Sequence, residues 1–179
     1  MVKGKLSKEE ELLLQGFSSN VSKKGNFLFY TVAVLIASAP IYLYYGVYQM
    51  EVADSWIIWL ISVLGATGLL GTAYRNTKQV FKHHAVVKRG EAIAREVSKD
   101  LTGDKKISSL ERDERILFKK NEVGDYEATT FSIFYNNVIF LTLFLVISFF
   151  ILYNANPVWN CLFSLIGSAG LVALFSTSK

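Results

Sequence analysis

Three stretches of this chain, residues 25–50, 55–74 and 128–178, contain no Asp, Glu, Lys or Arg. Their lengths are 26, 20 and 51 residues. A helix crossing about 30 Å of hydrocarbon needs about 20 apolar residues, so the first two stretches fit one span each and the third fits two with a turn between them. This excludes a soluble globule. The expected spans are 27–48, 56–74, 131–152 and 158–176, joined on one side by the short turns 51–54 and 154–157. Because the first uncharged stretch follows some two dozen polar residues and is far longer than a signal-peptide core, it reads as an uncleaved signal anchor.

Within the spans the residue types point to packing. Pro40 lies midway along the first and, lacking an N–H, predicts a kink. Tyr42, Tyr44, Tyr45 and Tyr48 crowd its far end, and Trp56 and Trp59 follow across the turn, as in an interfacial aromatic belt. Gly65, Gly68 and Gly71 in the second span and Gly167 and Gly170 in the fourth let helix backbones approach closely, which marks them as subunit-packing positions. Asn136 and Asn137, near the start of the third span, are explained by the same helix packing.

Residues 75–127 are of another kind, with 13 Lys or Arg and 10 Asp or Glu in 53 residues. Val86, Ile93, Val97 and Leu101 form one apolar stripe, and Glu91 precedes Arg95 at the favourable i,i+4 spacing. The second span is therefore expected to continue as a long helix. Residues 103–106 read as a turn. Ser108 followed by Glu111 is a capping-box pattern, so a second helix should start there, bury Leu110, Ile116, Leu117 and Phe118, and end near Glu122 before Gly124. The result is an antiparallel hairpin whose first helix, of about 26 residues, reaches on the order of 40 Å. Asp125 and Glu127 are then expected to open the next helix, where negative charge complements the dipole.

Charge placement orients the chain. Residues 1–24 hold 5 Lys, residues 75–127 hold 13 Lys or Arg, and Lys179 completes all 19, while the two short turns hold none. The positive-inside rule places the arm, the charged block and the tail in the cytosol. The sequon Asn20-Val21-Ser22 then faces the cytosol and should carry no sugar. Residues 9–17 have the pattern of a short amphipathic helix stopped by Gly16, although a frayed terminus accounts for the same composition equally well. The expected organisation is a cytosolic arm (1–26), two spans (27–74), a cytosolic helical hairpin (75–127), and two spans with a short tail (128–179). The fold class is all-α membrane protein with four transmembrane helices.

No catalytic constellation emerges, so no enzyme activity, cofactor or metal is expected. The single Cys161 allows no internal disulfide and reads as a packed apolar residue. His83 and His84 are adjacent, so on a helix they point about 100° apart and cannot converge on one metal. A small transporter or channel is the rival class, but coupling to ions or protons needs ionisable groups within the membrane and the spans hold none. The functional surface is therefore expected in the basic residues of the hairpin. Acidic lipid suits Arg75, Lys78 and Lys82, and RNA phosphate suits Lys99, Lys105, Lys106, Arg112 and Arg115, while a merely solvated charged hairpin fits equally well.

The run from Asp113 through Gly124 to Asn137 closely resembles the gamma subunit of the translocon-associated protein complex, also called the signal sequence receptor. The resemblance extends to the leucine patch at 10–17, Pro-Ile-Tyr-Leu-Tyr at 40–44, Lys82-His83, the stretch 148–152 and the Ser-Thr-Ser-Lys end. It implies a four-span, non-enzymatic subunit of the endoplasmic reticulum membrane, grouped with alpha, beta and delta subunits beside the protein-conducting channel. It further implies that the hairpin docks on the large ribosomal subunit, touching RNA and protein, in support of co-translational translocation. The residues for that contact are Lys99, Lys105, Lys106, Arg112, Arg115, Lys119 and Lys120. Lys105 and Lys106 fit the family's basic tip, whereas Ser109 and Leu110 stand where further bases are expected, with Lys99 or Arg112 to compensate.

Overall fold

The computed structural model describes residues 23–100 and 109–177, and no strand occurs among them. The helices are α1 (Lys23–Ser38), α2 (Ile41–Gly46), α3 (Val52–Asp100), α4 (Ser109–Val146) and α5 (Pro157–Thr177), with a π-helical turn at Ile147–Ile151 closing α4. Four helical stretches, Gly25–Gly46, Val52–Lys99, Glu111–Ile151 and Pro157–Thr177, are long and apolar enough to cross a membrane. Residues 1–22 of the arm with the sequon, the turn at 103–106 and Ser108 lie outside the described residues.

Pro40 does more than bend the first apolar stretch. The helix stops at Ser38 and restarts at Ile41, since a proline has no N–H to offer the preceding turn. The stretch ends where Gln49 takes φ 52° and the Met50 N–H returns to the Tyr44 carbonyl at 3.1 Å. At the other end of the chain's logic, the long second helix forms as the stripe and the i,i+4 pair predict, running 49 residues through Gly90.

The hairpin's second helix departs from expectation. It does not end near Glu122, because α4 runs unbroken through Gly124 to Val146. A glycine costs about 1 kcal/mol in a helix interior, yet here its missing side chain makes room for a neighbour. A Cβ on Gly124 would stand 2.7 Å from Val86 Cγ2. Gly124 is a contact point, and the sequence pattern of a breaker is overruled by packing. Asp125 and Glu127 therefore lie inside a helix and not at its start.

The chain forms two compact units. The charged unit comprises Lys78–Phe131, in which α3 and α4 segments pack antiparallel: Phe81 against Phe131 with ring centroids 6.4 Å apart, Val86 against Gly124, and Gly90 against Lys120. Val86 and Ile93 are buried there and Val97, Ile116 and Leu117 half-buried, as the stripes predict. Phe118 is not, being 67% exposed.

The apolar unit comprises Ser22–Thr77 and Ser132–Lys179. Its core takes Phe29, Ala33 and Ala37 from α1, Ala66, Leu70 and Tyr74 from α3, Phe140 and Phe144 from α4, and Cys161, Leu165 and Ala169 from α5. Polar side chains stitch the helices where apolar contact alone gives little specificity. Tyr74 donates to Asn137 Oδ1, Ser132 Oγ donates to the Tyr74 carbonyl at 2.6 Å, and Thr77 Oγ1 donates to Asn136 Oδ1 at 3.3 Å. Asn136 and Asn137 thus bind α4 to α3. A second cluster surrounds the π-helical turn, which frees carbonyls from the regular ladder. Asn160 Nδ2 donates to the carbonyls of Ser148 at 3.0 Å and Leu152 at 2.9 Å, while its Oδ1 accepts from Tyr44 at 3.0 Å.

Candidate functional site

The expected contact residues divide by what holds them. Arg112, Arg115 and Lys119 recur at intervals of three and four, which gathers them within about 60° on one face of α4. All three are exposed. Arg115 Nη2 donates to Glu111 Oε1 at 2.8 Å and Lys119 Nζ to Glu122 Oε2 at 2.9 Å, both pairs exposed and between neighbouring turns. Such exposed, solvent-screened pairs are weak and give way readily to a competing anion. The hydrogen bond and charge of Glu122 raise the Lys119 ammonium above its ordinary range, so it stays charged throughout the physiological interval.

Lys120 lies about 100° round the helix from Lys119, half-buried, with its Cε 3.6 Å from where a Gly90 Cβ would stand. Its stem packs across the helix pair. Lys99 is exposed near the end of α3. Lys105 and Lys106 lie outside the described residues. The Glu91–Arg95 pair forms only at 4.0 Å between exposed side chains and adds little.

Sequence reasoning missed the feature that fixes the helix pair. Lys78 and Lys82, one turn apart and each 7% exposed, converge on the single carboxylate of Asp125, at 2.9 Å and 3.3 Å. Arg89 meets Glu127 nearby. The available signal was the i,i+4 spacing of Lys78 and Lys82 opposite an acid two residues from the last charge of the block. Burial by itself raises the Asp125 carboxyl, but the hydrogen bond and charge of Lys78, joined by those of Lys82, outweigh it and leave the group below the ordinary carboxylate range.

The sign of the pH effect follows. A carboxyl lowered by folding contributes stability above its unfolded pKa, near 4, and loses it as pH falls through the lower folded value. Asp125→Asn should flatten the acid end of the stability profile of segment 78–131 below about pH 4. At neutral pH it should destabilise that segment by roughly 1–2 kcal/mol, a buried-pair loss discounted for the half-exposed carboxylate. Hydrogen exchange of the segment against pH reads both, and coincident profiles for the two proteins would remove Asp125 from this role.

The glycines also divide. A Cβ at Gly71 would stand 2.7 Å from Tyr30 Cε1, and one at Gly65 would stand 3.2 Å from Ile166 Cδ1, so these two abut helices of the same chain. At Gly68, Gly167 and Gly170 a Cβ would meet nothing within 4 Å. No group of three or more His, Cys, Asp or Glu able to hold a metal occurs among the described residues. His83 and His84 stack edge-on, with centroids 6.1 Å apart.

Comparison with known proteins agrees with the resemblance read from the sequence. Residues 9–178 match the family described as translocon-associated protein, gamma subunit. A relative named translocon-associated protein subunit gamma, from Dictyostelium discoideum, is 31% identical over 163 residues, covering 90% of this chain and 91% of the relative.

Proposed function

The chain belongs to the gamma-subunit family of translocon-associated proteins, and from that membership we propose a non-enzymatic subunit of the translocon-associated complex in the endoplasmic reticulum membrane. It crosses the bilayer four times, with the arm, the helical hairpin and the tail in the cytosol. Alpha, beta and delta subunits and the protein-conducting channel are its membrane partners. Gly68, Gly167 and Gly170, with open space before them, are the positions offered for subunit packing. The hairpin docks on the large ribosomal subunit, where Arg112, Arg115 and Lys119, with Lys99, Lys105, Lys106 and Lys120, meet RNA phosphate and protein.

The observation that carries this reading is the one-sided charge: all 19 Lys and Arg lie in three segments that four spans place on the same side. Crosslinking mass spectrometry on ribosome-bound membranes tests orientation and partner together. Crosslinks from Lys99, Lys105, Lys106 and Lys119 to ribosomal proteins are expected. Crosslinks from these lysines only to lumenal proteins, or a glycan on Asn20, would overturn the orientation.

A further inference from the structure

Within the apolar unit no acid lies near the positive charge of Arg75. Its only acids are Glu51 and Asp54, and Arg75 stands 21 residues after Asp54 on the same helix, roughly 30 Å away.

The Arg75 side chain is built into place. Gly71, with no Cβ, admits the Tyr30 ring against α3, and that ring receives the guanidinium: Arg75 Nη2 donates to the Tyr30 hydroxyl at 3.2 Å, and Cζ lies 5.8 Å from the ring centroid. Arg75 Nε reaches back to the Gly71 carbonyl at 3.4 Å. Among the described residues the guanidinium forms no ion pair. Arg75 is half-buried and Tyr30 is 39% exposed, so the pair is held firmly yet reachable from outside the helices. Once Tyr30 accepts from Arg75, its own hydroxyl hydrogen remains to donate. The remaining guanidinium donors and this hydroxyl make a fork suited to a tetrahedral oxyanion.

Arg75 directly follows the uncharged stretch 55–74, which on the membrane-spanning reading puts the fork at headgroup depth. We propose that Tyr30 and Arg75 seat the phosphate of an anionic phospholipid, with the exposed Phe27 side chain lying beside the acyl chain. The inference rests on membrane insertion as proposed above, and its test keeps the two apart.

Full-length protein is reconstituted into vesicles of phosphatidylcholine alone or of phosphatidylcholine with phosphatidylserine, then extracted in mild detergent and its retained lipid identified by native mass spectrometry. Failure to float with phosphatidylcholine vesicles would refute the spanning reading itself. In inserted protein, phosphatidylserine should be retained over phosphatidylcholine. Arg75→Gln should lower that preference roughly fivefold and Tyr30→Phe roughly twofold, while Lys88→Gln leaves it unchanged. The phenylalanine variant keeps the ring against Gly71 and so tests the fork even if loss of Arg75 disturbs the fold. Equal retention of both lipids, an unaltered preference in both fork variants, or displacement by millimolar inorganic phosphate, which would mark a free-phosphate site, would each overturn the proposal.

Discussion

Gly124→Leu should break the contact between the α3 and α4 segments of the charged unit. The glycine faces Val86, whose Cγ2 would stand only 2.7 Å from any Cβ at this position, and valine has one strongly preferred χ1 in a helix, so it cannot swing aside cheaply. Alanine presents two opposed effects. It gains about 1 kcal/mol of helix propensity and pays an overpacking cost of about 1–3 kcal/mol, so the net change is a small loss. Leucine adds three further carbons at the same point and should cost at least about 3 kcal/mol. Hydrogen exchange of residues 78–100 in the full-length protein reads the effect as lost protection, with the apolar unit's helices as internal control. Val86→Ala should cost less in the Gly124→Ala background than in the wild type, because the clash needs both side chains. Wild-type protection in the leucine variant would show that this contact does not hold the pair together.

That position also illustrates what the sequence carries. The uncharged stretches are legible because lipid imposes a length and forbids unpaired charge, and α1, α3, α4 and α5 follow from that constraint alone. The continuation of α3 to Asp100 is legible for a similar reason, as propensity, stripe and ion-pair spacing agree over many residues. Gly124 is not legible, because helix propensity and tertiary contact give it opposite meanings and only the identity of the facing residue decides between them. Asn160 is illegible in the same way. An asparagine in an apolar stretch reads as generic packing until the π-helical turn shows which carbonyls have lost their partners. The Lys78–Asp125–Lys82 cluster was half visible as an i,i+4 pair, but its acid lies more than forty residues away on another helix. Of the contact residues, the spacing of Arg112, Arg115 and Lys119 already fixes a shared face, whereas the inward turn of Lys120 depends on Gly90 across the pair.

Reversing Arg112, Arg115 and Lys119 together to Glu should have the largest functional effect. The three form the exposed basic face of α4, while Glu111, Glu114 and Glu122 occupy the adjoining arc. In the free protein the face is partly quenched by the pairs Arg115–Glu111 and Lys119–Glu122. Those exposed pairs are weak, so on the docking proposed above ribosomal phosphate would replace the glutamates at little cost. Each phosphate neutralised releases condensed counterions, so three contacts contribute between about 2 and 3 to the slope of log affinity against log salt. The triple reversal should weaken ribosome co-sedimentation of the full-length protein on the order of a hundredfold near ~0.15 M salt and flatten its salt dependence by that amount. Both readouts matter, because a loss of helix pairing would lower affinity while leaving the remaining contacts their usual salt slope. Lys88→Glu combined with Arg95→Glu on α3 serves as a charge-reversal control, since it lowers net charge without touching the α4 face. Equal weakening by the control would reduce the effect to overall charge, and unchanged binding in the triple variant would remove this face from the contact altogether.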